Sequence, residues 1–221
     1  MPVKPAAVLF DLDGTLLDTA DDLGAALNAV LAAQQLPLQP AAAYRPLASH
    51  GANGLLQLGF GRDVRDAPQL RADFLAHYQA DIARYTKPYE GVGELFDALQ
   101  QQGVKLAIVT NKPAHLTEQL LPYYPEFSAI EVVVCGDTLR VAKPHPEPLL
   151  LAAQQLQVAP QGCWYVGDAE RDIRAGHNAG MYTVLAEYGY IHADDRPDSW
   201  RAHARIATPL ALLGLLAQVA E

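Results

Sequence analysis

The chain has 221 residues, half of them hydrophobic, and a formal net charge of −9 at pH 7. This length fits one large domain or a domain with a smaller insertion. An acidic chain without a basic run is a poor candidate for binding duplex DNA or an anionic membrane surface, so we expect neither as a partner. Two cysteines are too few for a disulfide framework or a zinc site and predict buried free thiols.

Short apolar runs alternate with amphipathic segments along most of the chain. The runs AVLF (before Asp11), KLAIVT, EVVVC, CWYVG and YTVLA predict buried strands. Helical periodicity follows in segments 92–102, 114–121, 146–157, 170–179 and 208–220. This order predicts an α/β fold, a doubly wound, Rossmann-like parallel sheet with helices on both faces.

The segment 19–87 interrupts this alternation with helical patterns only. A pure βαβ fold would not leave ~70 residues without a strand, so we predict an inserted all-helical cap domain. Prolines at positions 37, 40, 46 and 68 divide it into roughly four helices. The core domain is then formed by residues 1–18 and 88–221, and the stretches DTADD and TKPYEGV act as hinges.

No apolar stretch reaches the ~20 residues needed to cross a membrane, and the N-terminal run MPVKPAAVLF meets acidic residues too soon for a signal peptide. The sequence therefore predicts a cytoplasmic protein without a membrane partner.

Polar residues follow four of the predicted strands, at the edge where doubly wound sheets bind ligands. They are Asp11, Asp13, Gly14 and Thr15, then Thr110, Asn111 and Lys112, then Gly136, Asp137 and Lys143, then Gly167, Asp168 and Asp172. Two carboxylates and a glycine at a strand end favour a bound cation, and a cation beside a carboxylate favours phosphate chemistry.

These residues form four motifs, DLDGT (11–15), VTN (109–111), KPHPEP (143–148) and GDAERD (167–172). Their types and order resemble the haloacid dehalogenase superfamily of phosphatases, and the resemblance covers essentially the whole chain. The fourth motif departs from the common pattern because Ala169 replaces a serine. That change removes a hydroxyl but no charge, so we expect little effect on a metal site.

The resemblance implies covalent catalysis at a magnesium site. Asp11 would attack the phosphoryl group and form an aspartyl-phosphate. Mg²⁺ would be held by Asp11, the backbone carbonyl of Asp13 and Asp168, with Asp172 orienting these ligands. Asp172 also lies in the first turn of a predicted helix, where an acid favours the helix dipole in any case.

The resemblance further implies roles for the acid and for the phosphate ligands. The Asp13 side chain would protonate the leaving oxygen and then deprotonate the attacking water. Thr110, Asn111 and Lys143 would bind or neutralise the phosphate oxygens. For Thr110, capping of the helix after Pro113 stays open as an alternative.

Three residues distinguish a phosphatase from the dehalogenases and sugar-phosphate mutases of this superfamily. A halide leaving group needs no proton, so Asp13 favours a phosphate ester over a haloacid. Sugar-phosphate mutases of the superfamily carry a hinge histidine where this chain has Leu23, and a valine where it has Thr15. Net hydrolysis of a phosphate monoester is therefore the predicted reaction.

The stretch SHGANGLLQ (49–57) is the expected substrate-reading element of the cap. Gly51 and Gly54 permit close backbone approach, and His50 and Asn53 add polar side chains. A plain turn between helices is the alternative.

Two stretches narrow the choice of substrate. TNKPAHL (110–116) and EYGYIHADDRPDSW (187–200), which contains Tyr190 at the expected rim of the site, resemble the N-acetylmuramic acid 6-phosphate phosphatases of proteobacterial cell-wall recycling. The general pattern also resembles phosphoglycolate phosphatases. We therefore expect a magnesium-dependent phosphatase of a small phosphorylated metabolite, first the amino-sugar phosphate and otherwise phosphoglycolate, acting as a monomer or weak dimer. A phosphate-binding module without turnover is the alternative of another class.

Overall fold

A six-stranded parallel sheet forms the centre of this computed structural model, which describes residues 4–219. The strands in chain order are β1 (Ala7–Phe10), β2 (Leu17–Asp18), β3 (Lys87–Pro88), β4 (Lys105–Val109), β5 (Val132–Val134), β6 (Cys163–Gly167), β7 (Tyr182–Ala186) and β8 (Ala204–Ile206). The sheet order is β5-β4-β1-β6-β7-β8, which places β1 at the centre. The predicted doubly wound α/β fold is confirmed.

Ten α-helices cover this sheet or form the insertion within residues 4–219. They are α1 (Ala20–Ala33), α2 (Ala41–Tyr44), α3 (Gly51–Phe60), α4 (Pro68–Ala80), α5 (Val92–Gln101), α6 (Ala114–Leu120), α7 (Glu147–Gln155), α8 (Glu170–Asn178), α9 (Pro197–Trp200) and α10 (Ala211–Val219). None of these helices combines the length and apolar character needed to cross a membrane.

The two faces of the sheet bury different side chains because successive residues of a strand point to opposite sides. On one face, Val8 and Phe10 of β1 belong to a large core that also contains Phe96 of α5 and Leu212 of α10. On the other face, Ala7 and Leu9 pack with residues of α7 and α8 in a second core. Burial on both sides explains why β1 is apolar at every position. The predicted buried free thiols, Cys135 and Cys163, are also confirmed.

The insertion between β2 and β3 is helical, as expected from its periodicity. Helix α1 packs against α3 and α4 through buried leucines and Phe74. Pro68 begins α4, and Pro40 precedes α2, so these two prolines mark helix starts. A short 3-10 helix (45–50) leads into α3. The division into a core and a cap at 18/19 and 87/88 remains a prediction.

Two features were not predicted from the sequence. Strand β8 has only three residues, ARI, and its mixed composition lacks the apolar run that marks the other strands. Strands β2 and β3 form a two-residue antiparallel pair at the entry to and exit from the insertion. Such short pairs carry no periodic pattern, so only the folded chain reveals them.

Candidate active site

The acidic motif residues meet at one edge of the sheet because the parallel strands all end there. The backbone N–H of Asp11 donates to Val166 O at 2.9 Å, which extends the pairing of β1 with β6 by one residue. Asp11 and Asp168 follow these two strands directly, and both are buried. The predicted convergence of the carboxylates is therefore a direct result of sheet register.

Lys143 joins two of these carboxylates. Its Nζ lies 2.8 Å from Asp11 Oδ1 and 2.8 Å from Asp172 Oδ1, and it donates to Tyr165 Oη and Val109 O, each at 2.8 Å. The side chain is fully buried. Lys143 therefore lies behind Asp11, where it neutralises the carboxylates, and its expected contact with phosphate remains a prediction.

Asp168 has one carboxylate oxygen that is buried and makes no hydrogen bond to the described residues. Its Oδ2 accepts hydrogen bonds from Ser49 Oγ and from the Tyr190 backbone N–H, both at 2.8 Å. Its Oδ1 is buried without a partner among the described residues. Burial, together with the charges of Asp172 and Asp11, raises the pKa of Asp168 to about 8. An anionic oxygen left in this position needs a cation or a proton.

The donor set fits a divalent cation. One carboxylate oxygen each from Asp11, Asp168 and Asp172 lies within 4.8 Å of the others. Hard oxygen ligands are what Mg²⁺ prefers, and the unpartnered Asp168 Oδ1 supplies a free one.

Asp172 is already held by three donors. Its Oδ2 accepts from the Ala169 backbone N–H at 3.0 Å, and its Oδ1 contacts Lys143 and the Tyr165 hydroxyl. Burial would raise the pKa of Asp172, but Lys143 and Arg171 outweigh it and lower that pKa. This arrangement suits the predicted orienting role of Asp172.

Asp13 is paired with a lysine that the sequence interpretation left without a role. Lys112 Nζ lies 2.9 Å from Asp13 Oδ1, and Thr19 Oγ1, at the start of α1, donates to the same oxygen at 2.7 Å. Burial would raise the pKa of Asp13, but the charge of Lys112 and these hydrogen bonds lower it. The only sequence signal for Lys112 was its place after Thr110 and Asn111 at a strand end.

Asn111 and Thr110, which follow β4, make different hydrogen bonds. Asn111 exchanges two hydrogen bonds of 3.0 Å with the backbone of Lys143, so it positions that residue's loop. Thr110 Oγ1 accepts from the Lys112 N–H at 3.1 Å. The cap residue of α6 is Pro113 and makes no side-chain capping bond, so Thr110 does not cap this helix.

A cavity of about 360 Å³ lies between this edge and the insertion. The core lines it with Asp11, Asp13, Thr110, Asn111, Lys112, Pro113, Leu116 and Arg171. The insertion lines it with Leu23, Ala48, Ser49, His50, Gly51, Ala52, Asn53, Arg71, Phe74, Leu75 and Tyr78. The lining is therefore mixed. Leu23, Phe74, Leu75 and Leu116 give it an apolar part, and Lys112 and Arg171 lie close to Asp13 and Asp11.

Three of the four cap residues that were expected to contact the substrate line the cavity. His50, Gly51 and Asn53 line the cavity, whereas Gly54 does not. A Cβ at Gly54 would overlap the side chain of His50, so this glycine makes room for its neighbour. Arg171, which was not predicted, lines the cavity with its guanidinium 3.7 Å from Asp11 Oδ2.

Tyr190 is buried beside the start of α1 and does not line the cavity. Its hydroxyl oxygen accepts from the N–H groups of Thr19 (2.6 Å) and Ala20 (2.9 Å) and donates to Asp18 Oδ1 at 2.7 Å. Because its own N–H binds Asp168, Tyr190 links the start of the insertion to the carboxylate cluster. Its expected contact with the substrate remains a prediction.

Comparisons with known proteins agree with this geometry. Residues 8–186 match the model of the haloacid dehalogenase-like hydrolases. A phosphoglycolate phosphatase of Xanthomonas campestris is 43% identical over 93% of both chains, and an N-acetylmuramic acid 6-phosphate phosphatase of Pseudomonas aeruginosa is 40% identical over 95% of this chain and 94% of its own. A crystal structure of a predicted phosphoglycolate phosphatase from Haemophilus somnus superposes with a TM-score of 0.84 at 26% identity, covering 96% of this chain and 98% of the other. The chain belongs to the haloacid dehalogenase-like hydrolase family.

Proposed function

We propose that this phosphatase hydrolyses a small phosphate monoester in a Mg²⁺-dependent reaction through an aspartyl-phosphate on Asp11. The observation that carries this proposal is the buried cluster of Asp11, Asp168 and Asp172, in which Asp168 Oδ1 has no partner among the described residues. Asp11 lines the cavity together with Lys112 and Arg171. Asp11, the Asp13 backbone carbonyl and Asp168 would hold the ion. Bound Mg²⁺ would offset the repulsion between the carboxylates and the phosphate and would polarise the phosphoryl group.

The side chains of the cavity suit the first half of such a reaction. Asp11 opens to the cavity and is held from behind by Lys143, so its free oxygen can be aimed at phosphorus. Arg171 lies on the cavity side of Asp11 and can bind the developing charge on the phosphoryl oxygens. Thr110 lines the same end and adds a hydroxyl.

Asp13 can act as acid in the first half of the reaction and as base in the second if substrate binding changes its protonation state. Its lowered pKa leaves the carboxylate ionised at neutral pH in the empty site, the form that removes a proton from water. To protonate a leaving oxygen it must first gain a proton. Lys112 also lines the cavity, so an arriving phosphate competes with Asp13 for this cation and favours that gain.

For the substrate we propose N-acetylmuramic acid 6-phosphate, with phosphoglycolate as the second candidate. Relatives named for each compound match this chain at about 40% identity. The cavity volume is in the range that encloses a ligand-sized molecule, and a two-carbon ester would leave most of its apolar wall uncovered. The size and the wall favour the amino-sugar phosphate.

The test compares three substrates with purified protein. With Mg²⁺, p-nitrophenyl phosphate should be hydrolysed, and EDTA should abolish turnover until Mg²⁺ is restored. The kcat/KM for the amino-sugar phosphate should exceed that for phosphoglycolate by roughly tenfold or more, a difference above ~1.4 kcal/mol.

Asp11→Asn, which keeps the shape of the side chain, should reduce turnover by on the order of 10³-fold or more. Metal-independent turnover would refute the magnesium proposal, and near-normal turnover of Asp11→Asn would refute the nucleophile. Absence of hydrolysis of all three esters would refute the proposed function and favour the alternative of a phosphate-binding module.

A further inference from the structure

One face of helix α4 forms a wall of the cavity. Arg71, Phe74, Leu75 and Tyr78 all line it, and they are spaced as i, i+3, i+4 and i+7. This spacing places four side chains along one stripe of a helix. The stripe begins with a cation, continues with apolar groups and ends with a tyrosine.

Tyr78 is the end of the stripe that faces the catalytic groups. The centre of its ring lies 4.6 Å from Lys112 Nζ, which in turn lies 2.9 Å from Asp13. Arg71 is seven residues earlier on the helix, and seven residues at the α-helical rise span ~10 Å. Arg71 therefore lies about one sugar ring and its substituents away from the reacting end.

Arg71 differs from the other cations of the cavity in its distance from acidic side chains. Lys112 is paired with Asp13, and Arg171 lies near Asp11. Among residues 4–219 no carboxylate lies within ion-pair distance of Arg71, whose side chain is exposed. An arginine at the far end of an apolar wall is available for a planar anion, which its fork of N–H groups binds with two hydrogen bonds.

We infer that Arg71 binds a carboxylate on the substrate, at the end opposite the transferred phosphate, while the body of the substrate packs against Phe74 and Leu75. This inference rests on the proposed phosphatase function and defines the substrate class: a sugar phosphate with a second acidic group across the ring. A carboxylate that is only two carbons from the phosphate cannot span the ~10 Å between the ends of the stripe.

The experiment uses two sugar phosphates that differ only in the lactyl ether that carries this acid. N-acetylmuramic acid 6-phosphate carries a lactyl carboxylate, and N-acetylglucosamine 6-phosphate has a hydroxyl in its place. Arg71→Gln should lower kcat/KM for the first by roughly 10- to 100-fold, as for the loss of a charged two-point contact. It should leave kcat/KM for the second, and for p-nitrophenyl phosphate, within about twofold of wild type.

Two variants serve as controls. Arg71→Lys keeps the charge but loses the fork, so it should retain part of the preference for the carboxylated sugar. Arg62→Gln removes an exposed arginine from the same insertion, outside the cavity wall, and should change neither sugar.

The outcomes separate this inference from the proposed function. Equal losses on both sugar phosphates, no loss on the carboxylated one, or failure of the wild type to prefer it would overturn the role of Arg71, provided that p-nitrophenyl phosphate is hydrolysed. Absence of all magnesium-dependent turnover in the wild type would instead overturn the proposed function, and the inference with it.

Discussion

Replacing Asp168 by Asn should make the metal-free protein more stable. The carboxylate is fully buried, and its Oδ1 has no partner among the described residues. An amide of the same shape can still accept the hydrogen bonds of Ser49 and Tyr190 through its oxygen. Its NH₂ group would then point toward the neighbouring carboxylates, where a donor is favourable.

The magnitude follows from the pKa of Asp168, which rises from its ordinary value of 3.8 to about 8 on folding. Between these values the folded state binds a proton that the unfolded chain releases. The free energy of unfolding therefore falls as pH rises through this window, by ~1.4 kcal/mol per pH unit. At pH 7 the cost is at most ~4 kcal/mol, and the Asn variant avoids it because it does not ionise.

Urea unfolding in EDTA, at several pH values from 6 to 8, measures this difference. The stability advantage of Asp168→Asn over wild type should grow by ~2 kcal/mol across the range. Titrating histidines are common to both proteins and cancel in the difference. Asp66→Asn, an exposed carboxylate in the insertion, is the matched control and should show no such growth.

Addition of Mg²⁺ in the same experiment should reduce the difference, because the ion should stabilise wild type and not the variant. At 100 times its Kd, the ion should stabilise wild type by ~3 kcal/mol and should have little effect on Asp168→Asn. A variant that is less stable than wild type at every pH, or whose advantage does not change with pH, would refute the electrostatic account of this cluster.

Two further changes test the acid and the hinge. Asp13→Asn should slow hydrolysis of the aspartyl-phosphate more than its formation from p-nitrophenyl phosphate, so rapid quenching should find phosphate on the protein. Equal slowing of both steps would argue that Asp13 does not act as both acid and base. Tyr190→Phe removes the hydroxyl that binds the Thr19 and Ala20 N–H groups, so hydrogen exchange at these amides should accelerate by ~10-fold or more; unchanged exchange would show that the hydroxyl does not hold the hinge.

The fold and the acidic cluster could be predicted from the sequence because both follow from local rules. Apolar runs identify the strands, and parallel strands end at one edge, so the acidic residues that follow them gather there. The adjacency of β1 and β6, which brings Asp11 and Asp168 together, is seen only in the sheet order. The same reasoning failed for β8, whose three residues have no apolar run of their own.

Residues that act through the docking of separate segments could not be predicted in the same way. Lys112 was visible at a strand end, but its partner depended on which acid its side chain would reach across the site. Arg71 and Phe74 lie on a helix whose cavity-facing side is fixed by the packing of α4 on α1. Tyr190 follows a core strand by only a few residues, and its bonds to the start of α1 could not be predicted from that position.

Asp168 illustrates contacts between distant segments that the sequence alone does not predict. Its surroundings come from three separate parts of the chain, which contribute Gly14, Ser49, and the adjacent Gly189 and Tyr190. A Cβ at Gly14 or at Gly189 would overlap the Asp168 side chain, and Gly14 also has a φ of 85°. The glycine in DLDGT is therefore required by a carboxylate about 150 residues later, a constraint that its own turn expresses only as a preference for positive φ. Close approach between distant segments can be read from a glycine in the sequence, but the group that approaches is identified only in the fold.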